Sequence, residues 1–104
     1  MVVRRAAEVA HQEEAHEFLE EEIKCYEKIL NCGEEAYYFV WFYKAEAHEE
    51  LGQIGEAILC YARFIELCDE EDQEDLEDGA RTQIIKLSNQ IRNHIRNHIQ
   101  VLAL

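Results

Sequence analysis

The side chains in this sequence best suited to chemistry are its five histidines and its carboxylates, and their spacing limits what they can do. His94 and His98 sit four residues apart in a short duplication, Ile91-Arg92-Asn93-His94 followed by Ile95-Arg96-Asn97-His98. On a helix that step stacks two imidazoles on one side, an arrangement that can hold a transition metal. No third or fourth ligand follows from the spacing, and a solvated or half-buried polar edge is the preferred reading of the pair. Glu8-x-x-His11 and Glu13-x-x-His16 have the Glu-x-x-His spacing of di-iron carboxylate bundles. Those bundles draw one motif from each of two helices, whereas here both fall on one predicted helix. Five residues apart, they are turned from each other by well over a right angle and do not face one metal pair.

The other reactive residue types are as sparing. Cys25 and Cys32, and Cys60 and Cys68, are seven and eight residues apart, with no Cys-x-x-Cys pair. That spacing returns to about the same helical face, which suits small buried hydrophobes. The acidic run from Asp69 to Asp78 lacks the spaced ligands, central Gly and closing Glu of an EF-hand loop, so it reads as a loop and the start of a helix. No Gly-rich phosphate loop or nucleophile elbow is present, and Ser88 is the single serine. The expectation is a non-enzyme with no cofactor. A metal-binding four-helix bundle using Glu8, His11, Glu13, His16, His48, His94 and His98 is the alternative.

Positioning falls to helices. There is no Pro and there are four Gly in 104 residues, so few breaks are forced. Apolar residues at three- and four-residue steps predict one long helix from about Val3 to Leu30, with a tight turn near Phe18-Leu19-Glu20 as the competing reading. Asn31-Cys32-Gly33 is its stop, Gly being tolerant of the left-handed conformation past a helix end. A second helix is predicted from about Glu34 to Leu51, so rich in aromatics that every face carries one. A third runs from about Gly55 to Asp69, and the short joint makes the two antiparallel. A fourth runs from about Leu76 or Ala80 to Val101, with Ile84, Leu87, Ile91, Ile95, Ile99 and Leu102 as a continuous apolar stripe. Its Arg81, Lys86, Arg92 and Arg96 are expected to pair with acids of neighbouring helices.

Residues 38–69 hold the most telling pattern. Trp41 precedes a small residue, Ala45, by four positions; Gly52-x-Ile54-x-Glu56-Ala57-Ile58 forms a turn and a second small site, and Tyr61 follows. This segment resembles one tetratricopeptide repeat, a helix–turn–helix unit that stacks on neighbours and presents a surface to a protein partner. Lys44, His48 and Asp69 stand where that family usually has leucine, tyrosine and proline. The resemblance implies an all-α fold: a single domain over 1–104, with a hairpin at about 35–69 capped by helices at about 3–31 and 76–102. It also implies a groove lined by the first hairpin helix, placing Phe39, Phe42, Glu46, Glu49 and Glu50 toward a partner. The Lys and Asn that clamp a carboxylate tail in some members are missing, so an apolar or basic protein segment is the expected ligand. With one repeat only, either the flanking helices cover the hairpin or the chain forms a homodimer.

Composition bounds the rest. A net charge of −13 repels phosphate backbones and anionic lipid, so neither nucleic acid nor a membrane surface is an expected partner. No apolar run approaches the ~20 residues of a membrane span, and the N-terminus has no signal-peptide pattern. The expected setting is the cytoplasm. Hydrophobic residues at 48% are enough for one core.

Overall fold

A computed structural model describes residues 2–68 and 74–103, with the side chains of 13–68 and 74–100. Within them the chain is all-α: α1 (Val2–Cys32), α2 (Val40–Glu50), α3 (Ile54–Leu67) and α4 (Glu74–Ala103). Two short helices form a central hairpin, and two long ones flank it. α1 is continuous through Phe18-Leu19-Glu20, so the single helix holds and the tight turn does not.

The core forms where the hairpin meets α4. Ala45 of α2, Ala57 of α3 and Ala80 of α4 have no accessible surface. Three such alanines let the backbones approach, while Tyr61, Phe64 and Leu87 fill the space between them. Trp41, Phe42, Ile54, Ile58 and Ile84 close around this cluster. Phe42 is its hinge, meeting the Tyr61 ring at 5.5 Å and 73° and the Phe64 ring at 5.4 Å and 65°. Both are edge-to-face pairings, in which the positive ring edge meets the negative face. Tyr38 stacks on Phe64 at 6.0 Å. Trp41 has its Nε1 buried without a hydrogen-bond partner, while Lys44 Nζ sits 5.0 Å from the ring centre.

α3 ends at Leu67, where Cys68 turns extended, not at Asp69, and two helix starts also differ from the sequence expectation. α2 begins at Val40, not Glu34, because residues 34–39 turn instead of extending the helix. Three-residue bonds (Val40 N–H to Tyr37 O, Trp41 N–H to Tyr38 O, Phe42 N–H to Phe39 O) wind this segment tightly. The reversal out of α1 consumes these residues, directing Tyr38 onto Phe64 and leaving Tyr37 and Phe39 exposed. α4 begins at Glu74, earlier than Leu76 or Ala80, with Glu74, Asp75 and Glu77 in its first turn, where carboxylates meet the positive dipole end. Asp69 to Gln73 of the acidic run lie outside the described residues.

Gly52, not Gly33, takes the left-handed conformation, at φ 76°. Gln53 N–H donates to His48 O at 2.9 Å, and Gly52 N–H donates to Glu49 O at 3.0 Å. This pair of bonds closes the α2 C-terminus as a Schellman motif, which needs positive φ at that residue. The side chains that flank such a motif are usually apolar. Here His48 Nδ1 lies 2.6 Å from Gln53 Oε1 instead.

Each helix packs on its neighbour in sequence, α1 on α2, α2 on α3 and α3 on α4. The radius of gyration is 17.0 Å, against roughly 13 Å for a compact domain of this length. Elongation comes from α1 and α4, whose far halves outrun the hairpin.

Candidate functional site

α2 faces three ways, and its residues divide accordingly. Phe42 and Glu49 point into the fold. Phe42 packs on Tyr61 and Phe64, and Glu49 accepts two hydrogen bonds, from Tyr61 Oη at 3.3 Å and from Gln83 Nε2 at 2.6 Å. Through that carboxylate α2 is tied to both α3 and α4. Glu49 and burial together push the Tyr61 phenol well above its ordinary value, burial contributing most. Lys44 faces α1, where its ammonium is 3.6 Å from Glu27.

The third face is open. Tyr43, Glu46 and Glu50 recur at three- and four-residue steps on one side of the helix, and Phe39, the residue that precedes it, stands four positions before Tyr43. Phe39 is 41% and Tyr43 47% exposed. Glu46 and Glu50 are also exposed. α1 borders this stripe. Its Tyr26 donates to Glu22 at 2.6 Å, and partial burial with that carboxylate acceptor pushes the phenol up to about 12. Glu46 lies among like charges. Its carboxyl is raised above 4.5, first by partial desolvation and then by Glu50, Glu49 and Glu22. Two aromatic rings thus lead into a group of carboxylates, and among the described residues Glu46 and Glu50 have no ion-pair cation. Such a face suits a segment with an apolar group and a positive charge.

Of the five residues expected to line a groove, the structure leaves Phe39, Glu46 and Glu50 on the open side and turns the half-buried Phe42 and Glu49 toward the neighbouring helices. Tyr43 joins the open face. Its signal was in the spacing, four residues after Phe39 and three before Glu46, but six aromatics in seven positions hid it.

The other chemical candidates scatter. Among the described residues no three His, Cys, Asp or Glu side chains are arranged to hold a metal ion. His16, His94 and His98 are exposed, and His48 is held by Gln53. The side chains of Glu8 and His11 lie outside the described residues. All four thiols are free. Cys60 is buried and Cys68 half-buried, as small hydrophobes, but Cys25 and Cys32 are exposed because that face of α1 has no helix against it. Among α4 cations, Arg81 pairs with Glu77 of its own helix at 2.8 Å, correcting the expected cross-helix pairing. Lys86, Arg92 and Arg96 make no ion pair among the described residues. No helix among the described residues is long and apolar enough to cross a membrane.

No protein-family model matches the chain, and no curated protein or solved structure matches it.

Proposed function

We propose that this protein is a non-catalytic interaction module of the tetratricopeptide type that holds an apolar or basic segment of a partner protein along α2. The observation that carries the reading is the open face of Phe39, Tyr43, Glu46 and Glu50, two exposed rings beside carboxylates that repel one another. A Lys or Arg entering that cluster relieves the repulsion while its neighbour packs on the rings. The stacked alanines, the glycine-capped turn and the sequential packing of four helices support the repeat-like character. Four free thiols suit a reducing, cytoplasmic setting.

The test is to titrate isotope-labelled protein with synthetic peptides that alternate Leu with Arg, and with Glu-containing counterparts, and to follow amide resonances. Basic peptides are expected to shift Tyr26, Phe39, Tyr43, Glu46 and Glu50, and acidic ones are not. E46K/E50K is expected to abolish the shifts and to leave helical circular dichroism unchanged. Shifts centred elsewhere, or an undiminished response in E46K/E50K, would refute the assignment.

A further inference from the structure

α1 and α4 leave the hairpin from the same end. α2 runs antiparallel to α1, since Lys44 meets Glu27 while Glu46, further along, is near Glu22. The α2 C-terminus therefore lies opposite Glu22, and the part of α1 before it extends past the α2–α3 turn. Gln83 of α4 bonds Glu49 near that same C-terminus. α4 follows α3 by a short connection and so runs back alongside α2. Its residues beyond Leu87 extend past the same turn. Among the described residues, these two extensions have no substantial packing on each other.

Their chemistry is opposite. From Glu13 to Glu22 α1 carries six carboxylates and no Lys or Arg. Phe18 is 74% exposed there and sits in a shallow depression with Glu14, Glu17 and Glu21. From Gln83 to the end of the chain there is no acidic residue, but Lys86, Arg92 and Arg96 are present. All of the Asp and Glu side chains therefore lie before this segment. On α4 the seam that packs the core (Ala80, Ile84, Leu87) continues without a break into Ile91, Ile95 and Ile99. Ile95 is 51% and Ile99 58% exposed, and Arg92 and Arg96 lie along the edge of that stripe.

We infer that the occupant of this stripe is the acidic arm of a second copy of the chain. Ile95 and Ile99 lie against Phe18 of the partner copy, and Arg92 and Arg96 face its Glu14, Glu17 and Glu21. Because both arms leave from one end, two copies meeting end to end make this contact twice and close as a two-fold dimer. Pairing α4 with α4 would set Arg against Arg without an acid in reach, and that repulsion disfavours it. An anionic membrane is disfavoured because the acidic α1 arm projects from the same end as the basic one.

Sedimentation of the full chain is the test, using R92E/R96E and E14K/E17K/E21K. The unaltered protein is expected to run as a dimer of the 12.3 kDa chain at micromolar concentration, with no larger species, and to dissociate as salt is raised. Each variant alone is expected to self-associate about tenfold more weakly or worse, since attractive pairs become repulsive. Mixed in equal amounts the two variants are expected to form a heterodimer, because one of its contacts is native and the other has both charges reversed. Circular dichroism of each variant checks that the helices persist. A monomer at all concentrations would overturn the inference. So would a dimer insensitive to both reversals, or no heterodimer on mixing. Capture of the unaltered chain by phosphatidylserine-containing vesicles, with no dimer, would assign the stripe to lipid instead.

Discussion

Phe64→Ala is the sharpest probe of the packing described above. Phe64 has no accessible surface and touches two rings, Tyr38 at 6.0 Å and Phe42 at 5.4 Å. Truncating a fully buried Phe costs about 3–5 kcal/mol, from lost transfer energy and from the cavity left behind. Tyr38 and Phe42 are half-buried and can tilt toward the gap, which moves the cost below the top of that range. Losing two ring pairings, each worth about 0.5–1.5 kcal/mol, moves it up again. The expected loss is about 4 kcal/mol, a large part of the roughly 5–15 kcal/mol that holds a domain together. At fixed protein concentration this lowers the melting midpoint by roughly 15–30 °C in thermal unfolding followed by helical circular dichroism. Phe39→Ala, which removes an exposed ring, is the control, with an expected cost below about 1 kcal/mol. Equal shifts for the two substitutions would refute the placement of Phe64 at the centre of the core.

Three further outcomes follow from the backbone and from the acidic face. Gly52→Ala places a side chain at φ 76° and is expected to destabilise by about 1–2 kcal/mol, although nothing lies within 4 Å of the added carbon. Gly79→Ala, in the interior of α4 with equally open space, is expected to stabilise by about 0.5–1 kcal/mol; urea midpoints of the two variants read both signs. Glu46 has its folded-state carboxyl above 4.5, so the proton is bound more tightly in the folded chain than in the unfolded one. That stabilisation is complete below pH 4.5 and is lost as pH rises through the folded value, leaving the ionised group unfavourable at neutrality. Glu46→Gln is therefore expected to raise the urea midpoint at pH 7, and its advantage is expected to disappear in acid.

Much of the architecture is legible in the sequence for a plain physical reason. Helical periodicity, the lack of Pro and the three-residue joint before Ile54 leave little choice but long helices around an antiparallel pair. Ala45 and Ala57 announce close backbone approach, and the structure buries both completely. The charge asymmetry between the arms is also a property of the sequence alone. Periodicity assigns a residue to a face, however, and does not say which faces find a neighbour. Tyr37 to Tyr43 place aromatics all around one helix, so only packing decides that Phe42 turns onto Tyr61 and Phe64 while Phe39 and Tyr43 stay in water. Glu49 looks like Glu46 and Glu50 in the sequence and differs only because Tyr61 and Gln83 arrive beside it from two other helices. Gly33 and Gly52 both stand at helix ends, and the left-handed conformation goes to the one where α2 must reverse within three residues. The apolar stripe of α4 is uniform from Ile84 to Ile99, yet the tertiary structure covers its first half and exposes the second, because α3 is too short to reach further.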